Sequence, residues 1–294
     1  MTRRDHATGV PPRAPAPTGS GTLYVVATPI GNLKDITLRA LDVLGSVDLV
    51  LCEDTRVTRK LLNHFGLDKP TRSCFGGNES ARVEKALEEL LAGRSVALVT
   101  DAGTPGLSDP GYLLVRACRE KGLGVVPVPG PSALAAAVSA SGIPASRVLF
   151  LGFPPRKAGE RSRLLRSLCC DPSTLVFYEA PHRVRAFLEE ALASLPGRAC
   201  VACREMTKVF EEFLEIEEPG AAPERGEYVV LFGPPARPAA ATVDESAFGE
   251  RLKDLVSSGL DEKEALRRLA RESGVSRREI YRILKVKAGE HART

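Results

Sequence analysis

Apolar and polar positions divide the chain into two differently built parts. In the first, short apolar runs end in turn residues and give way to segments with helical spacing. LYVVAT at 23–28 is such a run, stopped by Pro29 and Gly31, and it predicts a buried strand. Ile36, Ala40, Val43 and Leu44 share one helical face, so a helix is predicted over 35–44. DLVLCE at 48–53, SVALVT at 95–100 and GVVPV at 124–128 predict further strands. Helices are predicted over 55–65, 79–91 and 112–121, the first two closed by Gly66 and Gly93. PGPSALAAAVSASG opens a small-residue helix with Pro131 expected in its first turn. Strands alternating with helices argue for a parallel sheet covered on both faces.

The second part reads differently. VLFLGF (148–153), TLVFYEA (174–180), RACVACRE (198–205), VFEEFLEIEE (209–218) and EYVVLF (227–232) predict strands, with helices near 157–169 and 181–194 between the first three. Short links containing Pro219, Gly220 and Pro223 predict hairpins among the last three. The expected organisation is a disordered Pro-rich leader at 1–20, an α/β domain at 21–130, a mixed α+β domain at 131–233, a linker at 234–244 and a helical segment at 245–294. In that last segment, Asp261 with Glu264 and Ser276 with Glu279 are capping boxes on either side of a Ser273–Gly274 turn. The pattern is that of a helix-turn-helix.

Composition narrows the class. No apolar run approaches the ~18 residues of a membrane span, and 43% hydrophobic residues suffice for a packed core. The seven cysteines are odd in number and mostly lie in apolar segments, which fits reduced thiols of a cytoplasmic protein. Cys200 and Cys203 form a CxxC without a second pair at zinc spacing, so they read as core residues. The net charge of +4 is unevenly placed. Residues 251–294 hold 12 Lys/Arg and 7 Asp/Glu, a net of +5, which leaves −1 for the rest and points to an anionic partner for the tail. Aromatic residues total 5% with no tryptophan, so a broad base-stacking platform is not expected. No nucleotide-loop, zinc-protease or hydrolase motif is present.

The unusual residues cluster in loops after the predicted parallel strands, where such sheets bind ligands. DAGTP (101–105) offers a carboxylate, a hydroxyl, a permissive glycine and a stiffening proline; it could equally be a capped strand-to-helix turn. In PGPSA (129–133), Gly130 leaves space between two prolines and a helix start follows. EDTR (53–56) suits either acid–base work or an ion pair ordering the loop. REMTK (204–208) and FYEAPHR (177–183) add charged groups, and GFPPRKAGERSR (152–163) is a basic stretch that is either a solvated face or a contact for a phosphate backbone.

VATPIGNLKDIT (26–37), CEDTR (52–56), VTDAGTPGLSDPGY (99–112), VPGPSA (128–133), SGIP (141–144), GFPPRK, FYEAPHR and REMTK, in this order, resemble the ribosomal RNA small subunit methyltransferase I family of the tetrapyrrole-methylase superfamily. One block departs: the family has a pattern like HEHNE where this chain has FGGNE, with Phe75 and Gly77 in place of histidines. The resemblance implies a two-domain α/β fold with a cofactor cleft between the domains, a homodimer, and S-adenosylmethionine-dependent 2′-O-methylation of a cytidine ribose in the decoding region of 16S ribosomal RNA, naked or within the 30S subunit. It implies that Pro29, Asp101, Gly103, Thr104, Pro105, Ser132 and Ala133 line the cofactor pocket, with Gly130 beside them. Candidates beside the methyl acceptor are Glu53, Asp54, Glu205 and Lys208, with no metal required. Candidate RNA contacts are Arg56, Arg156, Lys157, Arg183, Arg277, Arg278 and Arg282. The competing readings are a superfamily methylase acting on a corrin precursor or a protein side chain, and a ligand-sensing DNA-binding regulator that uses the tail helices.

Overall fold

The computed structural model describes residues 19–74, 79–235, 245–258, 260–273, 280–281 and 284. It resolves into two compact units, 1–235 and 236–294. The first unit holds two five-stranded sheets.

The first sheet is entirely parallel. Its strands are β1 (Thr22–Val26), β2 (Leu49–Cys52), β3 (Thr71–Ser73), β4 (Val96–Leu98) and β5 (Gly124–Val128), in the order β3-β2-β4-β1-β5. Helices α1 (Leu38–Ser46), α2 (Thr55–His64), α3 (Glu79–Leu91) and α4 (Tyr112–Glu120) connect them. The period-2 alternation of the strands fills a core on each face. Leu49 and Leu51 pack in one cluster with Leu90 and Leu114; Val50 and Cys52 pack in another with Ala40, Leu44 and Leu62. Each large side chain so buried contributes about 1.5–3 kcal/mol.

Two local differences from the sequence pattern have clear causes. The first helix begins at Leu38 rather than Asp35, because the Thr37 hydroxyl accepts from the Ala40 amide and fixes the start there. Residues 33–35 instead form a short 3-10 turn capped by Asn32. β3 carries no apolar pattern; it is a three-residue edge strand held by β2.

The second sheet is mixed. Its strands are β6 (Val148–Gly152), β7 (Thr174–Glu179), β8 (Cys200–Arg204), β9 (Glu212–Glu215) and β10 (Tyr228–Phe232), in the order β6-β7-β10-β8-β9. The predicted succession of hairpins fails at β10, which inserts between β7 and β8, antiparallel to both, while β9 pairs with β8. Burial explains the order. All five residues of β10 are buried and demand a central place, whereas β9 is largely exposed and suits an edge. Helices α6 (Ala158–Ser167) and α7 (Pro181–Ser194) cover one face, where Phe177, Phe187 and Phe232 meet. The other face packs on α5 (Ala133–Ala140) and takes in Ile30 from the loop after β1. Ser132 caps α5, so Pro131 precedes the helix instead of entering its first turn.

Cys200 and Cys203 are buried free thiols, pushed up to about 12 by burial; Cys169 and Cys170, by contrast, are exposed. No described helix is long and apolar enough to cross a membrane.

In the second unit, α8 (Glu245–Ser257) and α9 (Glu262–Ser273) pack through Phe248, Leu255, Ala265, Leu266 and Leu269, joined by Ile280. The Glu264 amide donates to Asp261 Oδ1, one half of the capping box. The leader at 1–18, Phe75, Gly77, the second capping box and Arg277, Arg278 and Arg282 lie outside the described residues.

Candidate active site

The loops at the carboxyl ends of the parallel strands are tied to one another by short bonds. Thr28 and Gly103 exchange backbone bonds of 2.8 and 3.0 Å, and the Thr28 hydroxyl donates to Thr100 O at 3.0 Å. The Asp54 amide donates to Asp101 Oδ1 at 3.0 Å. The Thr104 hydroxyl donates to Pro131 O at 3.0 Å. These ties join the loops after β1, β2, β4 and β5 into a single rim, and a pocket built on them is preformed.

A cavity of about 390 Å³ opens between this rim and the second sheet. The first sheet's side supplies Ile30, Thr100, Asp101, Gly103, Thr104 and Asp109. Ser132 and Ala133 come from the start of α5; Tyr178, Met206, Lys208 and Val229 come from the second sheet. Five of the residues expected at a cofactor, Asp101, Gly103, Thr104, Ser132 and Ala133, thus converge on it. Pro29 lines a smaller hollow of about 190 Å³ that shares Thr100 and Asp101. Pro105 and Gly130 line neither cavity. Gly130 packs closely on the loop after β1: a Cβ there would stand 3.1 Å from that of Ala27.

The second sheet's contribution is charged and strained. After β8 the chain passes through Glu205 at φ 50° and Thr207 at φ 65°, both in the left-handed region that non-glycine residues seldom occupy. Lys208 Nζ bonds Glu205 Oε1 at 2.9 Å and Glu227 Oε2 at 2.8 Å. Burial works against its charge, but the two carboxylates outweigh burial and hold the ammonium above the usual lysine range. Glu205 is held below the usual carboxylate range, first by the Glu227 amide and also by Lys208. Gly31 makes room for this loop: a Cβ there would meet Lys208 Cγ at 2.5 Å and Thr207 Oγ1 at 2.9 Å.

The carboxylates around the rim differ sharply. Asp54 caps α2 and pairs with Arg56 at 2.6 Å; those hydrogen bonds push it down to about 2, too weak a base for proton abstraction. The ordering role that EDTR left open is therefore the one Asp54 fills, and it engages the exposed guanidinium of Arg56. Glu53 is exposed and raised, by desolvation first and then by Asp101. Asp109 is raised to about 6, by burial first and then by the charge of Glu53. It lines the cavity beside Thr100, whose buried hydroxyl has no partner. The sequence pattern does not mark Asp109. It stands in GLSDPG, and only the folding back of that loop reveals its half-buried place beside Glu53.

The basic stretch divides as well. Arg156 and Lys157 are exposed, as an RNA contact would require. Arg183 turns inward instead: it donates to Pro154 O at 3.0 Å and pairs with the buried Glu179, leaving 20% of its side chain exposed. Arg161 does likewise, bonding Glu190, Pro155 O and Arg156 O. Both brace the loop at 154–156, and Arg183 is not free to hold a phosphate. Among the described residues, no group of His, Cys, Asp and Glu is arranged to hold a metal.

Residues 22–219 match the model of the Tetrapyrrole (Corrin/Porphyrin) Methylases. The chain is 43% identical over 271 residues to the ribosomal RNA small subunit methyltransferase I of Xylella fastidiosa, a match spanning 89% of this chain and 98% of that protein. Among solved structures it is similar to the methyltransferase CobJ, at 23% identity and a TM-score of 0.55, over 75% of this chain and 95% of that one. It is also similar to uroporphyrin-III C-methyl transferase from Thermus thermophilus complexed with S-adenyl homocysteine, at 21% identity and a TM-score of 0.51, over 72% and 97%. These two likenesses concern the fold.

Proposed function

Because the chain belongs to the tetrapyrrole methylase family, and within it to the ribosomal RNA small subunit methyltransferase I group, we propose that its cleft binds S-adenosylmethionine and a ribose 2′-hydroxyl of 16S ribosomal RNA and passes the methyl group from sulfur to that oxygen, leaving S-adenosylhomocysteine. The protein is an S-adenosylmethionine-dependent methyltransferase of small-subunit ribosomal RNA. The finer reading is a cytidine of the decoding region as target, in a cytoplasmic homodimer, and it rests on the eight ordered sequence blocks. Corrin and protein substrates and a DNA-binding regulator are disfavoured by the match to ribosomal RNA methyltransferases along 89% of the chain.

The observation that carries the assignment is the convergence of Asp101, Gly103, Thr104, Ser132 and Ala133 on one preformed cavity. Its chemistry fits the cofactor. Ile30, Ala133, Met206 and Val229 offer apolar surface to an adenine; Asp101, Ser132 and the unpartnered Thr100 hydroxyl offer partners to an ammonium and ribose hydroxyls. S-adenosylmethionine, when bound, supplies a methyl already activated on a sulfonium.

The chain's own residues then have three tasks: to hold the loops, to take a proton and to meet the acceptor. The tied rim holds its loops in place before binding, so little ordering cost falls on the ligand. Asp109 accepts the proton of the 2′-hydroxyl. Its raised pKa lies near neutral pH, where a base combines ionisation with proton affinity. Lys208 remains cationic beside the cavity; Glu205 and Glu227 take two of its three N–H donors, and the third is assigned to the acceptor oxygen or its phosphate.

The direct test is transfer of labelled methyl groups to 30S subunits from a strain lacking this modification, with light scattering to give the assembly state. Transfer by a particle of about twice the 31.5 kDa chain mass is expected. An active monomer would refute the homodimer; absence of S-adenosylmethionine binding would refute the whole assignment.

A further inference from the structure

The geometry points to Phe153 as the side chain that stacks on the target nucleobase while its ribose enters the cleft. This inference rests on the methyl-transfer reading above and deepens it.

Phe153 is a large apolar residue with 56% of its surface exposed, yet it lines the cavity. The backbone is built to present it. The pairing of β6 with β7 slips between Phe150 and Gly152, a bulge of the kind that re-aims side chains beside active sites. Gly152 follows at φ +63°, in the left-handed region, and a Cβ there would strike Ser108 Oγ at 2.7 Å. Bulge and glycine together turn the chain from β6 against the loop after β4, and Phe153 comes next. Its ring then meets Tyr178 edge-on, centroids 5.6 Å apart, and Tyr178 in turn meets Phe150 at 4.9 Å. The Tyr178 hydroxyl is fixed by the Leu134 amide at 3.2 Å. Phe153 is therefore backed by an anchored aromatic cluster.

The surroundings select the occupant. Exposed Arg156 and Lys157 follow on the same loop, and Arg183 and Arg161 brace that loop from behind. An anionic chain carrying a planar ring satisfies both features. Drawing a ribose hydroxyl deep into the cavity takes its nucleotide out of the base stack, and a ring at the mouth restores stacking to the extruded base. With no tryptophan and few aromatics in the chain, this is a platform for one base, in keeping with the modification of a single nucleotide.

Wild-type transfer to unmodified 30S subunits is measured first; its absence would defeat the methyl-transfer reading and this inference together. Given that activity, Phe153→Leu should lower kcat/KM roughly ten- to a hundredfold, the worth of one stacked base. Phe153→Tyr, which keeps the ring, should recover most of that activity, and S-adenosylmethionine affinity by calorimetry should hold in both. Unchanged kcat/KM in Phe153→Leu, or a fall matched by weaker cofactor binding, would overturn the stacking assignment alone. Phe153→Trp adds a spectroscopic readout, since it carries the only indole of the chain. Its fluorescence should be quenched by a short oligocytidine and not by inorganic polyphosphate. Equal response to both, or to neither, contradicts a stacked base.

Discussion

The two walls of the cleft are built on opposite principles. The wall from the parallel sheet is locked by bonds that leave most side chains free: Thr28 with Gly103, the Asp54 amide on Asp101, the Thr104 hydroxyl on Pro131. The wall from the mixed sheet is held by ion pairs, with Lys208 between Glu205 and Glu227; left-handed non-glycine residues occur in both walls, Ser108 in the first and Glu205 and Thr207 in the second. Apart from the Asp101 carboxylate, these bonds join neutral groups and respond little to pH and salt, so the first wall makes a rigid cradle for the cofactor. A wall held by ion pairs responds to pH, salt and ligand, and suits the side of the cleft that admits and releases a large substrate. Affinity for the cofactor and turnover on the RNA should therefore be separable by mutation.

Asp109 tests that separation most severely, because it comes from the rigid wall yet is assigned to chemistry. Asp109→Asn should lower kcat by about 10²–10⁴-fold while S-adenosylmethionine affinity changes little, and the acid limb of the wild-type rate profile near pH 6 should vanish with it. Stability should move the other way. A carboxyl raised from its ordinary value of about 4 to about 6 keeps its proton in the folded state after the unfolded chain has released it. Wild-type stability therefore falls as pH rises through that window, and the asparagine variant should melt higher above pH 6. Rate profiles and melting curves across the range from acid to mildly alkaline pH check both; a variant at once fully active and less stable would remove Asp109 from the mechanism.

Changes on either side of the cleft should follow the wall they touch. Lys208→Met should cost roughly ten- to a hundredfold in kcat/KM by removing a charged partner, with cofactor affinity held. Asp101→Ala should show the reverse emphasis, weakening S-adenosylmethionine by about tenfold or more while circular dichroism stays normal. Calorimetry and steady-state rates on the pair decide the matter, and swapped phenotypes would refute the division of labour between the walls.

The smallest effect is expected in the basic tail, which we propose holds RNA and leaves chemistry to the first unit. Replacing Arg277, Arg278 and Arg282 with Ala should reduce the slope of log affinity against log salt by about one for each phosphate that is no longer neutralised. Cofactor affinity should stay constant, because every residue lining the cavity precedes residue 233. An unchanged salt slope would end this role for the segment.

How much of this was legible in the sequence depended on whether the signal was local. DAGTP and PGPSA stand at the ends of apolar strand runs, so their place at a ligand rim followed from strand order and turn chemistry. The same local reading found EYVVLF as a strand and missed that it lies between β7 and β8, because pairing partners are set by distant burial. Polar β3 gave no periodic signal at all. Asp109 and Phe153 were hidden for a related reason: one gains its raised pKa from burial and from Glu53 across the sheet end, the other its exposure from a bulge and a left-handed glycine. Arg183 misled in the opposite sense. Its charge suggested phosphate, but Glu179 and the carbonyl of Pro154 claim it.

Whether this cleft passes a methyl group from S-adenosylmethionine to a ribose of small-subunit ribosomal RNA is settled by one measurement. The purified chain is incubated with labelled S-adenosylmethionine and unmodified 30S subunits, and the labelled nucleotide is mapped in 16S RNA. A single 2′-O-methylated cytidine in the decoding region is expected, appearing about 10²–10⁴-fold more slowly when Asp109→Asn replaces the wild type. Label on a base rather than a ribose, on ribosomal protein, or spread over many nucleotides would contradict the assignment.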